Sequence, residues 1–344
     1  MSSDESIQSE IQRIRDTVGT FREAQIYITF ARLDIAEALR SERLTVDTLA
    51  DRINVDAAAL QRFVEAATAL GLLEQSNDTR VGLSRLGREM FVPGSPNSVA
   101  NALKLEGAFY ERWGRLAKAI RIGGRPPENR AQEDESDWVR TFTLALYENS
   151  RETATAVAEA IDALLPESNT RGVRVLDLGG GHGGYSLALA ERRSDVRATV
   201  FDLPAVVEVT SEIVTNSGLG DRVSVVAGDF HRDPIGQNYD MILLFGVLHG
   251  EASENAQRLL TTIRNALSSS GRLVIRSRGH ARTEPAPGER EIFDLHMLLS
   301  TEGGSFQRPS DTTSMVEQNG FRLVGEYEIP SPQHGSLLVF QPMS

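Results

Sequence analysis

The chain of 344 residues contains no cysteine. This absence excludes disulfides, thiol nucleophiles and cysteine-based metal sites, and it fits a cytoplasmic protein. Positive charge is also scarce, since 36 Lys and Arg stand against 48 Asp and Glu for a net charge of −12. Because nucleic-acid binding needs clustered Lys and Arg, this balance argues against a nucleic-acid partner.

Long apolar runs are missing as well, and none approaches the roughly 18 residues of a membrane-spanning helix. The opening residues, MSSDESIQSE, are acidic and polar, unlike a secretory signal. The six histidines show no metal-ligand spacing such as H-E-x-x-H. We therefore expect a cytoplasmic protein with no membrane contact and no metal, long enough for one large or two ordinary domains.

What the sequence does contain is a glycine-rich stretch between two short apolar runs. The run from Val173 to Leu176 predicts a buried strand, and Asp177 follows it. A second predicted strand, 198–201, is followed by Asp202. Between them lie five glycines, which let a backbone turn tightly and approach a ligand: Gly179, Gly180, Gly181, Gly183 and Gly184. A helix N-terminus after the glycines and an acid after the second strand suit a nucleotide-like ligand.

Two cofactors compete for this pattern. Gly179, Gly181 and Gly184 satisfy the G-x-G-x-x-G spacing of dinucleotide-binding folds. Asp177, Gly179, Gly181 and Gly183 also give D-x-G-x-G-x-G, the pattern of methyltransferases that use S-adenosylmethionine (SAM). SAM carries an amino group that an acid attracts, whereas a pyrophosphate is repelled. A structural turn without a ligand is the third interpretation, and the stretch alone leaves the choice between the cofactors open.

Residues 1–97 are expected to form a winged-helix domain. After a buried helix predicted over 26–40, LTVDTLADRI and DAAALQRFVEAATALGLLE predict two helices, and residues 72–86 predict a β-hairpin. The second of the two helices has one basic residue, Arg62, whereas a DNA-recognition helix needs polar and basic groups that face the groove. We therefore interpret this domain as a dimerisation or interaction module.

An apolar stripe with 4-3-4-3 spacing opens the chain and suits packing against another helix. It consists of Ile7, Ile11, Ile14, Val18 and Phe21. Two interpretations remain open: the stripe docks on the chain's own body, or it forms a dimer contact.

Residues 98–170 are expected to be a helical linker. Its long helix carries Phe142, Leu146 and Ser150 on one face, at i, i+4 and i+8. An aromatic cluster earlier in the linker is either core or the floor of an aromatic substrate pocket: Phe109, Tyr110 and Trp113.

Residues 171–344 alternate strands with helices, which predicts an α/β domain with a Rossmann-like sheet. The last two predicted strands, 321–329 and 336–341, are joined by so few residues that they are expected to be antiparallel neighbours. Five strands therefore alternate with helices before a hairpin closes the sheet.

This order of elements resembles class I SAM-dependent methyltransferases, and in particular the small-molecule O-methyltransferases with an N-terminal winged-helix dimerisation domain. The segments that carry the resemblance are VLDLGGGHGG, VFDLP, the GDF of 228–230 and LLFGVLHGE. A dinucleotide-dependent dehydrogenase would not explain the GDF segment, the closing hairpin and the winged helix together. The resemblance therefore favours SAM as cofactor, a homodimer, and methyl transfer to a hydroxyl, expected to be phenolic, of a small secondary metabolite.

The resemblance also implies which residues bind the cofactor. Asp202 would bind the ribose hydroxyls, Asp229 the adenine amino group and Ser150 the carboxylate, while Phe230 would cover the adenine ring. The full expected set is Ser150, Asp177, Gly179, Gly181, Gly183, Asp202, Leu203, Asp229, Phe230 and Phe245.

His249 matches the catalytic histidine of the family, and an imidazole with a pKa near ~6.5 can take a hydroxyl proton at neutral pH. His182, in the glycine turn, is expected to contact the ligand through its backbone. The expected acceptor pocket consists of Phe142, Leu146, Asp294, His296, Met297 and Phe306.

The chain departs from the family around His249. Where the family usually has H-D-W, this chain has His249-Gly250-Glu251. At the positions of the two glutamates that orient the histidine in plant members, this chain has Ser277 and Phe306. Phe245 stands where plant members often have a lysine; Glu251 or Asp294 are candidate substitutes for the glutamates. These departures keep open a same-fold enzyme that methylates carbon or nitrogen, or catalyses hydroxylation or a pericyclic step. A ligand-sensing winged-helix regulator is the third hypothesis.

Overall fold

The chain forms two compact units in the computed structural model, Met1–Glu111 and Arg112–Ser344. None of the helices in the described part of the chain is both long and apolar enough to span a membrane. The structure describes residues 3–77, 79–127, 135–165, 172–251, 253–278, 288–301, 308–329 and 335–343.

The first unit is mainly helical and contains one small antiparallel β-hairpin. Two of its helices begin at residues whose side chains cap them. Thr45 and Asp56 accept hydrogen bonds from the backbone N–H groups of Thr48 and Ala59. Its elements are α1 (Ser3–Gly19), α2 (Phe21–Arg32), α3 (Ile35–Ala38), α4 (Val46–Ile53), α5 (Ala57–Ala69), β1 (Leu73–Gln75), β2 (Val81–Leu83), α6 (Arg85–Phe91) and α7 (Ala100–Trp113), which continues into the second unit.

The prediction of a single helix over 26–40 is wrong, because α2 and α3 are separate helices. Asp34 lies between them with a φ of 50°, in the left-handed region that ends a helix. Its carboxylate Oδ1 accepts a hydrogen bond from Lys104 Nζ at 2.6 Å. Asp tolerates this backbone conformation better than most residues, and the apolar periodicity gave no sign of the break.

The second unit is an α/β domain, as predicted. Its helices are α8 (Leu116–Ile122), α9 (Glu135–Asp162), α10 (Gly184–Arg192), α11 (Pro204–Ser217), α12 (Ser253–Ala266), α13 (Glu289–Ser300) and α14 (Pro309–Gln318). Its strands are β3 (Val173–Leu178), β4 (Val196–Asp202), β5 (Val223–Ala227), β6 (Tyr239–Phe245), β7 (Leu267–Arg278), β8 (Phe321–Ile329) and β9 (Gly335–Pro342).

Seven strands in the described residues form one sheet in the order β5-β4-β3-β6-β7-β9-β8. β3 to β7 are parallel, and β9 pairs antiparallel with both β7 and β8. The predicted alternation of strands and helices and the closing hairpin are therefore confirmed.

Apolar layers cover both faces of this sheet. Val173 and Val175 face a layer with α9, α10 and α11, whereas Leu176 and Leu178 face a layer with α12 and α14. The chain runs from β3 outward to β5 and then returns to β6 on the other side of β3. Open α/β sheets bind ligands at the carboxyl edge of such a switch point, so β3, β4 and β6 define where a site is expected.

Candidate active site

The glycine turn lies at this switch point, between β3 and α10. Gly179 and Gly181 have positive φ values of 65° and 50°. A Cβ on Gly179 would lie 2.7 Å from Cγ2 of Val247, whereas a Cβ on Gly181 would meet no atom of the described residues within 4 Å. The turn therefore packs tightly against the end of β6 and presents bare backbone to open space, as a ligand cradle requires.

Asp177 lies beneath this turn and is 1% exposed. Ser186 Oγ donates a hydrogen bond of 2.8 Å to its Oδ2. Burial raises the pKa of Asp177 to about 7; the negative charge of Asp202 adds to this effect and the Ser186 hydrogen bond opposes it. A buried carboxyl group with such a pKa would be stabilised in its charged form by a cation placed beside it.

Asp202 ties the end of β4 to the same turn. Its Oδ2 accepts a hydrogen bond from Gly181 N at 2.8 Å, and its Oδ1 accepts one from Leu203 N at 2.7 Å. Burial raises the pKa of Asp202, and the two backbone hydrogen bonds counteract part of that rise. Leu203 is half exposed beside it.

Asp229 and Phe230 follow the end of β5, and the Phe230 ring lies near the glycine turn. Asp229 Oδ1 accepts a hydrogen bond from His231 N at 2.9 Å. The Phe230 ring comes within 3.7 Å of the position that a Cβ on Gly179 would occupy. An acid and an aromatic ring thus lie at the carboxyl edge, two strands away from Asp177.

Glu251, one of the candidate substitutes for the missing glutamates, has a partner in this region. Its Oε1 lies 3.2 Å from Nε2 of His231. The geometry therefore joins Glu251 to the histidine that directly follows Asp229 and Phe230.

Helix α9 brings Ser150 to the glycine turn. Ser150 is 5% exposed, and its Oγ lies 3.1 Å from the position of a Cβ on Gly184. The same hydroxyl donates to the carbonyl of Tyr147 at 3.0 Å. Phe142 and Leu146, on the same helix face, are 36% and 37% exposed, so the apolar part of this face is open while Ser150 is enclosed.

His249 lies in a 3₁₀ turn, Leu248–Gly250, that follows β6. Val247, whose side chain borders Gly179, is two residues away, and His249 Cε1 lies 3.7 Å from the position of a Cβ on Gly246. The partly exposed imidazole therefore lies at the carboxyl edge of the sheet, in the segment whose Val247 packs against the glycine turn.

His296, on α13, is held among aromatic rings. Trp113 Nε1 donates to His296 Nδ1 at 3.4 Å, and His296 Nε2 lies 3.4 Å from Ser300 Oγ. The Trp113 and Phe293 rings stack on the imidazole with centroid distances of 6.5 and 6.0 Å. With Nδ1 accepting, the proton of a neutral His296 is on Nε2. The three stacked rings together form an aromatic wall.

The remaining predicted pocket residues differ in their burial. Asp294 is exposed and Met297 is 4% exposed, both on α13. Phe306 lies outside the described residues. Phe245, at the end of β6, packs edge-on against the Tyr185 ring at 5.0 Å.

Tyr185 and Arg276 were not among the site residues predicted from the sequence. Arg276 pairs with Phe245 across β6 and β7, and its Nη1 donates to Tyr185 Oη at 3.2 Å. The signal that would have found them is the strand register, which becomes known only with the sheet.

The chemistry of these side chains fits SAM. A buried carboxyl group suits its ammonium, a carboxylate tied to the glycine turn suits a ribose, and an acid beside an aromatic ring suits adenine. No group of three or more His, Asp or Glu side chains that could hold a metal ion is found among the described residues.

Comparison with known proteins gives a match to the family described as the O-methyltransferase domain, over residues 123–322. The chain is 28% identical to O-methyltransferase SfmM3 of Streptomyces lavendulae over 323 residues, which cover 88% of this chain and 92% of that protein. It is 26% identical to the 3-hydroxy-5-methyl-1-naphthoate 3-O-methyltransferase of Streptomyces sahachiroi, over 86% of this chain and 85% of that protein.

A similar fold is found in the crystal structure of human N-acetylserotonin methyltransferase in complex with SAM. The TM-score is 0.78 at 22% identity, and the match covers 100% of both chains. At this identity the likeness concerns the fold.

Proposed function

Because the chain belongs to the O-methyltransferase domain family and is a SAM-dependent O-methyltransferase of secondary metabolites, we propose that it methylates a phenolic hydroxyl with His249 as general base. The observation that carries this proposal is the place of His249, after the carboxyl end of β6 and two residues from Val247, which packs against the glycine turn. A base in that position is close to where a SAM-bound methyl group is expected.

SAM supplies a methyl group activated by a sulfonium. The acceptor hydroxyl must lose its proton near the moment of attack, and a phenol with a pKa near ~10 keeps that proton at neutral pH. His249 can accept it, because an imidazole titrates near ~6.5. Asp177 would hold the cofactor's amino group and Asp202 its ribose, while Asp229 and Phe230 would bind adenine.

The aromatic side chains that we assign to the acceptor pocket support an aromatic substrate. Phe245 lies at the carboxyl edge, and Trp113, Phe293 and His296 form a stacked aromatic wall. Phe142 on α9 is exposed enough to contact a bound molecule. Flat, apolar surfaces of this kind suit a ring-shaped acceptor better than a charged or branched one.

The direct test is a panel of aromatic acceptors incubated with SAM that carries a trideuterated methyl group. Each scaffold is offered as a phenol, as the matching aniline and as the matching methyl ether. We expect the label on the phenol oxygen, located by mass spectrometry and NMR, and no transfer to the ether. Transfer to the aniline nitrogen or to a ring carbon in preference to the phenol would contradict the proposal.

We also propose that residues 1–97 serve as the dimerisation domain and that the α1 stripe contributes to a homodimer contact. Ile7, Ile14 and Val18 are 59%, 54% and 65% exposed in the single chain. Such an apolar row on a helix surface is typical of packing against a second helix.

Changing Ile7 and Ile14 to aspartate should disrupt this contact, because it puts charges into an apolar seam. Light scattering should then give a mass near 37.7 kDa for the double variant and near twice that value for the wild type. Gln8→Asp, an exposed polar position on the same helix, should leave the dimer intact. A monomeric wild type, or a double variant that stays dimeric, would refute the assignment.

A further inference from the structure

The turn Leu248–Gly250, which we call the His249 turn, is bordered on both sides by residues that contact other segments of the site. Val247 precedes the turn, and its side chain packs against the glycine turn. Glu251 follows the turn, and its Oε1 lies 3.2 Å from Nε2 of His231. The two ends of the His249 turn are therefore held by the glycine turn and by the segment after β5.

The contact between Glu251 and His231 is partly enclosed. The two side chains are 14% and 32% exposed. A carboxylate only accepts hydrogen bonds, so the imidazole donates from Nε2. A pair with this exposure adds little to the stability of the fold. Its main consequence is geometric, because it fixes the place where the chain leaves the His249 turn.

The residue between His249 and Glu251 offers no such contact. Gly250 has no side chain, and a Cβ at this position would meet no atom of the described residues within 4 Å. The backbone N–H groups of Gly250 and Glu251 donate to the carbonyls of Val247 and Leu248, at 3.1 and 3.2 Å. These bonds lie within the segment and fix its shape, but they do not attach it to the rest of the site. After His249, that attachment comes from the Glu251 side chain.

His231 is a firm anchor for Glu251, because the segment that contains it is held by its own hydrogen bonds. His231 N donates to Asp229 Oδ1 at 2.9 Å, and Asp233 N donates to the carbonyl of Asp229 at 2.7 Å. The Phe230 ring packs against the His231 ring with a centroid distance of 4.6 Å. The anchor therefore belongs to the segment expected to bind adenine, and these contacts do not involve Glu251.

We propose that Glu251 is a positioning residue, which accepts a hydrogen bond from His231 and thereby holds the His249 turn at a fixed place relative to the bound cofactor. The inference rests on the proposed function, in which His249 takes the acceptor proton. Reacting groups tolerate little displacement, since a shift of ~1 Å can cost about 10²-fold in rate. Glu251 therefore acts on kcat, through His249, and not on the binding of SAM or of the acceptor.

The test compares kcat of two Glu251 variants with the wild type, on a phenol that the acceptor panel shows to be methylated. Glu251→Ala should lower kcat by about 10- to 100-fold, with SAM affinity and acceptor KM unchanged. Glu251→Gln should keep kcat close to the wild-type value, because an amide oxygen still accepts from His231 Nε2. The matched control is Glu254→Ala, which removes an exposed carboxylate three residues further along and should leave kcat unchanged.

Double variants test the route from Glu251 through His231 to His249. His231→Ala should lower kcat as much as Glu251→Ala, and the two changes together should lower it no further, because both remove the same contact. In a His249→Ala background, Glu251→Ala should not change the remaining rate. A purely structural role of Glu251 would instead lower the rate in both backgrounds.

Hydrogen exchange of the ligand-free protein gives a second readout, which needs no acceptor. The amides of Gly250 and Glu251 should exchange faster in Glu251→Ala than in the wild type, because the end of the His249 turn is no longer attached. The amides of the glycine turn, residues 179–184, should exchange at the wild-type rate. Unchanged exchange at residues 250 and 251 would overturn the inference whether or not an acceptor has been found.

The kinetic outcomes separate failure of the inference from failure of the proposed function. Wild-type kcat in Glu251→Ala, together with a large loss in His249→Ala, would overturn the role of Glu251 and leave the general base in place. Equal losses in Glu251→Ala and Glu251→Gln would also overturn it, because the charge and not the hydrogen bond to His231 would then matter. Full turnover by His249→Ala would refute the proposed general base and the inference with it.

Discussion

Replacing His249 with alanine is expected to lower kcat by about 10²- to 10⁴-fold, the usual contribution of a positioned general base. The affinity for SAM should not change, because the proposed role of the imidazole involves the acceptor hydroxyl and not the cofactor. In the wild type, kcat/KM should rise with pH as the imidazole loses its proton, because only the neutral form can act as a base. In the variant this step should disappear, and the rate should climb only at the higher pH at which the phenol ionises by itself.

His231→Ala is the control for this prediction. His231 is also near the site, but it pairs with Glu251 at 3.2 Å and has no proposed role in proton transfer. Its removal should leave the pH step in place. Full turnover by His249→Ala on the true acceptor would refute the general-base role, although methyl transfer itself could still occur by positioning alone.

Replacing Asp177 with asparagine is expected to have two opposite effects. SAM affinity should fall on the order of 100-fold, because the cofactor's ammonium loses a buried charge partner. The ligand-free protein should become more stable at pH 8, because a buried carboxylate is replaced by a neutral group of the same shape that still accepts from Ser186. Few binding-site substitutions combine a weaker ligand with a higher melting temperature.

The pH dependence of this second effect follows from the direction of the pKa shift. Burial raises the pKa of Asp177 from 3.8 to about 7 in the folded chain. The stability that this group contributes is therefore complete below its unfolded pKa and is lost as pH rises through about 7. At pH 8 the ionised carboxylate costs on the order of 4 kcal/mol, since the pKa is raised from 3.8 to about 7 and each pKa unit corresponds to 1.36 kcal/mol.

Melting curves of the ligand-free proteins at several pH values check this. The asparagine variant should melt above the wild type at pH 8, and the gap should close toward pH 5. Asp221→Asn, which removes an exposed carboxylate from the same unit, should show no such trend. A variant that melts below the wild type at pH 8 would mean that the Asp177 carboxylate stabilises the ligand-free fold.

The fold of the second unit was predictable because its signals are local. Short apolar runs such as 173–176 and the five neighbouring glycines mark a buried strand and its turn without any knowledge of distant residues. The closing hairpin follows from a connection too short for a parallel crossover. The break at Asp34 was not predictable in this way, because a single left-handed residue leaves the apolar pattern unchanged.

The site was only partly predictable, for a related reason. Asp177 and Asp202 each directly follow a predicted strand, and the carboxyl ends of neighbouring parallel strands meet at one edge. His249 was identified through the family resemblance. Arg276 and Tyr185 are 91 residues apart, and their contact depends on the register of β6 with β7 and on the tilt of α10. A pattern within a short window holds no information about such a contact.

The most direct test of the account is a calorimetric titration of SAM into the wild-type protein without acceptor, at pH 6.5 and in two buffers of different ionisation enthalpy. We expect one SAM per chain and a net release of protons. Asp177 is largely protonated in the ligand-free protein at this pH, because burial raises its pKa to about 7, and it must ionise to pair with the cofactor's ammonium. No binding at millimolar SAM, or binding with proton uptake, would contradict the account.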